Sequence, residues 1–245
     1  MIEARAVRKV YASRRGSVTA IDRLDFDARP GEFVSIVGPS GCGKSTFLYI
    51  VGGFVEATAG TVLVDGEPVR GPDPSRGIVF QEFALFDWKT VLGNVMFGLR
   101  GLPRAERERR ARAWLETARL SGFERHYPKE LSGGMKQRVA LARSLVMEPA
   151  ILLMDEPFAA VDAQTRSALQ QELLGLWERT ETTVLFVTHS VEEALLLSDR
   201  VVVLSGRPAR VREIVHVELP RPRELEALLE LPAYGALHRR ISSLL

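Results

Sequence analysis

The sequence has almost no cysteine and no long apolar run. Cys42 is the single cysteine among 245 residues, so no disulfide can form within the chain and a reducing compartment is compatible with it. A membrane-spanning helix needs about 20 mostly apolar residues, whereas runs such as residues 151–154 and 201–204 are far shorter. The N-terminal segment also lacks the apolar stretch of a secretory signal. We therefore expect a soluble or peripheral protein that would need a partner to supply any membrane part.

The chain also lacks a charge excess of either sign. Its 33 Lys and Arg residues nearly balance 31 Asp and Glu residues, which leaves a formal net charge of +2. This balance gives no electrostatic reason to expect nucleic acid as a partner. Apolar residues make up 46% and charged residues 26%, a composition typical of globular proteins with a large core.

The pattern of apolar residues divides the chain into three parts. In the first part, strands are predicted over residues 4–11, 24–28, 32–37 and 61–64, with a helix over 44–51. In the middle part, helices are predicted over residues 90–99, 103–120 and from 132 to about 147. In the last part, strands over 151–154, 183–187, 201–204 and 211–217 alternate with helices over 163–179 and 191–197. This alternation, with near-continuous apolar strands, predicts an α/β fold with a mainly parallel sheet covered on both faces.

A glycine-rich loop follows the apolar run at residues 32–37. Its sequence GPSGCGKS fits the pattern G-x-x-x-x-G-K-[ST]. The glycines let backbone N–H groups point at phosphate oxygens, and the helix that follows presents its positive end to the same anion. Lys44 can reach the β- and γ-phosphates, while Ser45 offers a hydroxyl to Mg²⁺. The residues expected to contact ATP here are Gly38, Pro39, Ser40, Gly41, Cys42, Gly43, Lys44, Ser45 and Thr46.

Further polar residues follow predicted strands in the way expected of a hydrolytic site. Asp155 can hold Mg²⁺ through water, and Glu156 can polarise the attacking water as a general base. Gln81 could contact Mg²⁺ and the water, and His189 could contact the γ-phosphate. Taken alone, the two acids could simply be solvated, and a lone Gln or His at a strand end is usually structural or solvated.

The segment LSGGMKQR, residues 131–138, places a capping serine and two glycines at the start of a predicted helix. The exposed N–H groups of such a helix start form a second anion site. The segment closely resembles the signature of the ABC-type ATPases. That resemblance implies a P-loop NTPase core with a mainly parallel sheet, an N-terminal antiparallel β-subdomain and a helical signature subdomain. It implies one domain over residues 1–245, with the helical subdomain inserted at about residues 83–147.

The resemblance also assigns roles to individual residues. It implies a head-to-tail dimer in which the signature of one chain faces the phosphate loop of a second copy. Tyr11 matches the aromatic residue that stacks on adenine, and Asp162 matches the loop that communicates between the two sites. The implied signature contacts to nucleotide are Ser132, Gly133, Gly134 and Gln137. The implied catalytic residues are Lys44, Gln81, Glu156 and His189, and the implied Mg²⁺ ligands are Ser45, Gln81 and Asp155.

A finer resemblance concerns the segments at residues 80–95 and 219–223. The sequences FQE, LFDWKTV and LPRPR are similar to those of the nitrate/sulfonate/taurine importer ATPases, although Asp87 stands where that group usually has proline. The implied function is a subunit that binds and hydrolyses ATP and energises import of a small solute through transmembrane permease subunits. A solute-binding protein is then an indirect partner, and the location is the cytoplasmic face of the inner membrane. Residues 83–99 would form the coupling groove.

Two other functions remain as alternatives. One is a non-transport soluble ABC ATPase that acts on nucleic acid or the ribosome; such proteins usually carry a long coiled coil or a second ATPase domain, neither of which this sequence shows. The other is a P-loop kinase, in which LSGGMKQR and His189 would have no role. The sequence leaves the transported solute open.

Overall fold

The computed structural model describes residues 1–13, 16–180 and 182–245. The chain divides into two compact units. Residues Met1–Asp73 and Trp177–Leu245 make up the terminal unit, and residues Pro74–Leu176 make up the central unit. Across the described ranges, every helix is too short or too polar to span a bilayer.

Within the described residues, ten strands and eight α-helices are numbered in chain order. The strands are β1 (Ile2–Ser13), β2 (Gly16–Ala28), β3 (Phe33–Val37), β4 (Ala59–Val64), β5 (Glu67–Pro68), β6 (Arg76–Val79), β7 (Ile151–Asp155), β8 (Thr183–Val187), β9 (Arg200–Leu204) and β10 (Val211–His216). The helices are α1 (Lys44–Val51), α2 (Val91–Val95), α3 (Arg104–Thr117), α4 (Gly133–Leu145), α5 (Ala163–Trp177), α6 (Val191–Leu197), α7 (Leu225–Leu229) and α8 (Pro232–Leu244). Short 3-10 turns at Met96–Leu99 and Pro128–Glu130 precede α3 and α4.

The terminal unit contains an antiparallel sheet near the N-terminus. Its strand order is β2-β1-β4-β5, and all neighbours run antiparallel. In β2 the buried positions alternate towards the end of the strand, where Leu24, Phe26 and Ala28 face inward. The predicted N-terminal antiparallel β-subdomain is therefore present, although β2 begins well before the predicted residue 24.

A second, mainly parallel group of strands forms the core of the same unit. Strand β3 pairs in parallel with β8 on one side and with β9 on the other, and β10 closes the edge antiparallel to β9. Every residue of β3, β8 and β9 is buried. Continuous burial explains why these strands appear in the sequence as uninterrupted apolar runs rather than alternating ones.

The central unit pairs β6 with β7 in parallel and adds helices α2 to α5. A separate apolar cluster links α2, α3 and α4. Its fully buried members are Val91, Val95, Ala111, Leu115, Leu120, Val139 and Val146. The helix predicted over residues 90–99 is divided, because α2 gives way to a 3-10 turn at Met96. Helix α3 ends at Thr117 instead of residue 120, where Arg119 takes a positive φ of 55° and Leu120 N donates to Leu115 O at 2.8 Å.

Candidate nucleotide site

The phosphate loop joins the end of β3 to the start of α1, as the sequence pattern predicts. Gly41 and Gly43 have φ angles of 69° and 124°, in the region that favours glycine. A Cβ atom on Gly43 would lie 2.9 Å from the carbonyl oxygen of Ala20. Gly43 is the N-cap of α1 and has no side chain with which to cap the first turn. No side chain at position 43 therefore competes with an anion for the amides of that turn, in which Ser45 and Thr46 lie.

Lys44 lies against its own loop. Its Nζ atom donates hydrogen bonds to Gly38 O at 2.8 Å and to Pro39 O at 3.1 Å, and the residue is only 5% exposed. Cys42 is also buried, and its backbone N–H donates to Pro39 O at 3.2 Å. Backbone carbonyls are weaker partners for an ammonium group than phosphate oxygens. A bound phosphate could therefore draw Lys44 away from these carbonyls.

Tyr11 and His189 are the other predicted site residues of the terminal unit. Tyr11 lies on β1 with 43% of its surface exposed, and Lys9 Nζ lies 4.9 Å from its ring centroid. His189 is exposed just after β8, between Thr188 and Ser190. Both side chains are therefore exposed, Tyr11 on strand β1 and His189 just after the end of β8.

Glu193, which the sequence did not single out, organises the loop around His189. Thr188 Oγ1 donates to Glu193 Oε2 at 2.5 Å, and Ser190 N donates to Thr188 Oγ1 at 3.0 Å. Ser190 Oγ in turn accepts from Glu193 N at 3.2 Å as the N-cap of α6. The residues on both sides of His189 are thus tied to the first turn of α6.

Asp155 and Glu156 lie at the end of β7 in the central unit. Asp155 is 2% exposed, whereas Glu156 is half-buried. Glu156 has a φ of 44°, an uncommon conformation for a residue with a side chain. Ala159 N donates to Glu156 O at 3.1 Å, which closes the turn after the strand. Strained backbone of this kind is concentrated at functional sites, which makes Glu156 a candidate for one.

Gln81 lies two residues beyond β6 and is exposed. The loop that follows it is fixed by Arg143 of α4, whose guanidinium donates to Ala84 O at 2.6 Å and to Phe83 O at 3.2 Å. Burial lowers the pKa of the Arg143 guanidinium from its ordinary value. Arg143 therefore positions the segment after Gln81. No motif in the sequence indicated this role for Arg143.

The signature segment forms the N-terminal part of α4. Ser132 is the N-cap, and its exposed hydroxyl accepts a hydrogen bond from Met135 N at 3.3 Å. Gly133 is half-buried and Gly134 is buried. Gln137 is fully buried, whereas Ser132 is the most exposed residue of the segment.

Asp162 caps the neighbouring helix α5. Its Oδ1 atom accepts from Thr165 N at 3.0 Å, and backbone hydrogen bonding from Thr165 lowers the pKa of the Asp162 carboxyl. Thr165 also approaches Gly134 closely, since a Cβ atom on that glycine would lie 2.4 Å from Thr165 Cγ2. Within the central unit, the structure thus brings the signature helix and the helix after Asp162 together.

The residues proposed to bind Mg²⁺ supply oxygen atoms only. They are a hydroxyl at Ser45, an amide oxygen at Gln81 and a carboxylate at Asp155. Mg²⁺ prefers oxygen ligands and usually retains several waters, so a site with one carboxylate and neutral oxygens suits it. The chemistry of these donors fits the metal ion.

Comparison with known proteins identifies the family. The family model described as ABC transporter matches residues 21–159. An uncharacterised ABC transporter ATP-binding protein of Methanocaldococcus jannaschii is 52% identical over 218 residues, covering 88% of this chain and 82% of the relative. An aliphatic sulfonates import ATP-binding protein of Bacillus cereus is 44% identical over 217 residues, covering 89% of this chain and 86% of the relative.

Solved structures give the same result. A dimeric ATP-binding cassette in a post-hydrolysis state, bound to ADP and Pi, matches with a TM-score of 0.80 and 34% identity, over 90% of this chain and 100% of that one. A dimeric bacterial ABC transporter cassette matches with a TM-score of 0.81 at 34% identity, over the same shares of the two chains. These matches confirm the predicted P-loop NTPase fold. The chain belongs to the ABC transporter family, and it is the ATP-binding, ATP-hydrolysing subunit of such a transporter.

Proposed function

We propose that two copies of this chain bind two ATP molecules head to tail and that hydrolysis energises the import of a small solute through partner transmembrane subunits. The observation that carries the proposal is the exposed, Ser132-capped start of α4 in a chain that already has a complete phosphate loop. A helix start of this kind attracts a second phosphate contact. The dimeric cassettes among the structural relatives support the dimer in this proposal.

The proposed chemistry requires positioning and charge neutralisation rather than covalent catalysis. Lys44 holds the β- and γ-phosphates, and Glu156 accepts the proton of the attacking water. His189 contacts the γ-phosphate, and its loop is oriented by Glu193. Ser45, Gln81 and Asp155 would hold Mg²⁺, which supplies charge neutralisation when bound. Tyr11 stacks on adenine, and Asp162 connects the two sites.

The coupling surface is proposed at residues 83–99. Trp88 is 75% exposed, and its ring lies 5.3 Å from that of Phe86, which in turn lies 4.4 Å from that of Phe97. An exposed tryptophan on a supported aromatic base is a favourable anchor for another protein. We propose a transmembrane permease subunit as the occupant, at the cytoplasmic face of the membrane. The helical subdomain would span about residues 83–147.

The sulfonate import relative supports an importer of the nitrate/sulfonate/taurine type. The solute itself is recognised by other subunits, so its identity should be sought through them. Detergent extraction with a tagged chain should co-purify transmembrane subunits encoded with it. Co-purification with ribosomes or DNA instead would favour the non-transport alternative.

The dimer and the catalytic base are tested together with Glu156→Gln. This variant should bind Mg-ATP, lose turnover and accumulate as an ATP-bound dimer in size-exclusion chromatography with light scattering. Glu116→Gln, an exposed residue of α3, is the matched control and should behave like the wild type. A Glu156→Gln protein that stays monomeric in saturating Mg-ATP would contradict the composite site.

A further inference from the structure

The turn between β9 and β10, residues 205–210, packs along the phosphate loop. A Cβ atom on Gly38 would lie 3.1 Å from Leu204 O, and one on Gly43 would lie 3.3 Å from Ala209 Cβ. Between these two contacts, Arg207 reaches Gly41. Leu204, Arg207 and Ala209 thus each lie against one glycine of the phosphate loop. Both segments belong to the terminal unit.

Arg207 makes the polar contact in this arrangement. Its Nε and Nη2 atoms donate to Gly41 O at 3.1 and 2.8 Å, so two charged donors converge on one carbonyl. Hydrogen bonds from a charged donor are about twice as strong as neutral ones. The guanidinium thereby fixes the peptide at the point where the chain takes the left-handed conformation of Gly41.

The bond also acts on the opposite end of the same peptide group. Gly41 C=O and Cys42 N–H belong to one peptide unit, so a cation at the oxygen polarises the N–H into a better donor. Backbone N–H groups of a phosphate loop face the anion. The Cys42 N–H, which donates to Pro39 O at 3.2 Å in this structure, is one of the groups expected to turn to phosphate when it binds. Arg207 can therefore favour phosphate binding without touching phosphate.

The turn that carries Arg207 is itself anchored. Ala209 N donates to Ala20 O at 2.9 Å, and Asp22 N donates to Ala209 O at 3.0 Å. Arg210 also forms an ion pair with the side chain of Asp22 in β2. Because these bonds connect the turn to β2, Arg207 projects from a fixed base rather than from a free loop.

We propose that Arg207 is a positioning residue that holds the phosphate loop in its nucleotide-binding conformation and so sets the affinity for ATP. The inference rests on the proposed role of the loop in binding phosphate. A change at Arg207 should alter nucleotide binding more than hydrolysis, because Arg207 contacts the backbone of the phosphate loop at Gly41 O.

The test compares Arg207→Ala and Arg207→Lys with Arg210→Ala. Arg210→Ala removes the same charge from the same turn but leaves the Gly41 contact in place. Equilibrium titration with a fluorescent ATP analogue should show a dissociation constant about tenfold higher for Arg207→Ala. Lysine should restore part of the affinity, because it keeps the charge with one nitrogen. The turnover number at saturating Mg-ATP should stay within about twofold of wild type.

Wild-type affinity in Arg207→Ala would overturn the inference, as would an equal loss in Arg210→Ala. A melting temperature measured without nucleotide shows whether either variant is misfolded, and an unchanged value with weakened binding supports positioning. If the wild-type protein itself does not bind the analogue, the proposed function fails instead, so the two failures are distinguishable.

Discussion

The Cγ2 methyl group of Thr165 occupies the space in which a side chain at position 134 would have to lie. A Cβ atom on Gly134 would approach that methyl group to 2.4 Å, well inside van der Waals contact. Helices α4 and α5 therefore approach each other at a point where only a hydrogen atom fits. One helix begins with the signature segment and the other is capped by Asp162.

Gly134→Ala should destabilise the protein by about 1–3 kcal/mol, because the added methyl group forces α4 and α5 apart. ATPase activity should fall as well, since the start of α4 moves with the helix. Thermal unfolding and turnover measure the two effects.

Thr165→Ser provides the matched compensation, because it removes the clashing methyl group and keeps the hydroxyl. The double variant Gly134→Ala/Thr165→Ser should recover most of the lost stability. If the double variant is as unstable as Gly134→Ala alone, steric conflict with Thr165 is not the cause.

Lys44→Ala should lower the turnover number by at least about 100-fold, because the loop loses the cation placed for the β- and γ-phosphates. Folding should be retained, and a melting curve without nucleotide checks this. Lys129→Ala, an exposed lysine of the central unit, is the control for loss of one positive charge. Turnover that persists in a Lys44→Ala preparation free of other ATPases would contradict the phosphate-loop assignment.

Ser132→Ala should cost about 1 kcal/mol of stability, since α4 loses the side chain that accepts from Met135 N. Ser132→Asn should restore the cap and the melting temperature. If the hydroxyl also contacts the nucleotide of a second chain, Ser132→Asn will stay defective in ATP-dependent dimerisation despite its recovered stability. Full recovery of both properties would limit Ser132 to capping.

Asn94 is a fully buried amide that organises the loop carrying Trp88. Its Oδ1 atom accepts from Phe86 N at 2.8 Å, and its Nδ2 atom donates to the carbonyls of Phe86, Lys89 and Thr90 at 3.0–3.2 Å. Asn94→Leu should cost at least about 2 kcal/mol, because these backbone groups lose a buried partner. Thr90→Ala, which removes only the N-cap of α2, should cost less. An Asn94→Leu protein as stable as the wild type would show that the loop finds other partners.

Trp88→Ala should separate ATP hydrolysis from transport. The side chain is 75% exposed, so its removal should change stability by less than about 0.5 kcal/mol and leave basal turnover intact. Solute uptake by the assembled transporter should fall. Phe54→Ala is the control, because it removes another exposed aromatic side chain, 46% exposed, in the terminal unit. Solute uptake that is unaffected by Trp88→Ala would place the coupling surface elsewhere.

Local patterns in the sequence were sufficient for the elements closest to the chemistry. The glycine loop before Lys44 and the apolar run before Asp155 each combine a motif with a neighbouring strand, so short-range information determines both. The first half of β2 was missed, because its exposed residues carry no alternating apolar pattern and its strand conformation depends on pairing with β1. The division after Val95 was missed for a similar reason, as Gly98 packs directly against Met147 from beyond α4.

Contacts between distant parts of the chain could not be read from the sequence. Arg207 and Gly41 are separated by 166 positions, and nothing in the local composition of either segment indicates their hydrogen bonds. Arg143 likewise acts on carbonyls about 60 positions away. The burial of Gln137 also required the packed structure, because the signature pattern alone makes that residue look as available as Ser132.

The contact between Arg207 and the phosphate loop has a practical consequence for labelling this protein. Residues 206–208 are exposed, which makes their turn an attractive place to insert a tag or a fluorophore. An insertion there would shift Arg207 relative to Gly41 and alter the very nucleotide binding that the label is meant to report. Gly101 is a better position, because an added side-chain atom there meets no neighbouring atom within 4 Å and its backbone does not need the positive φ that favours glycine.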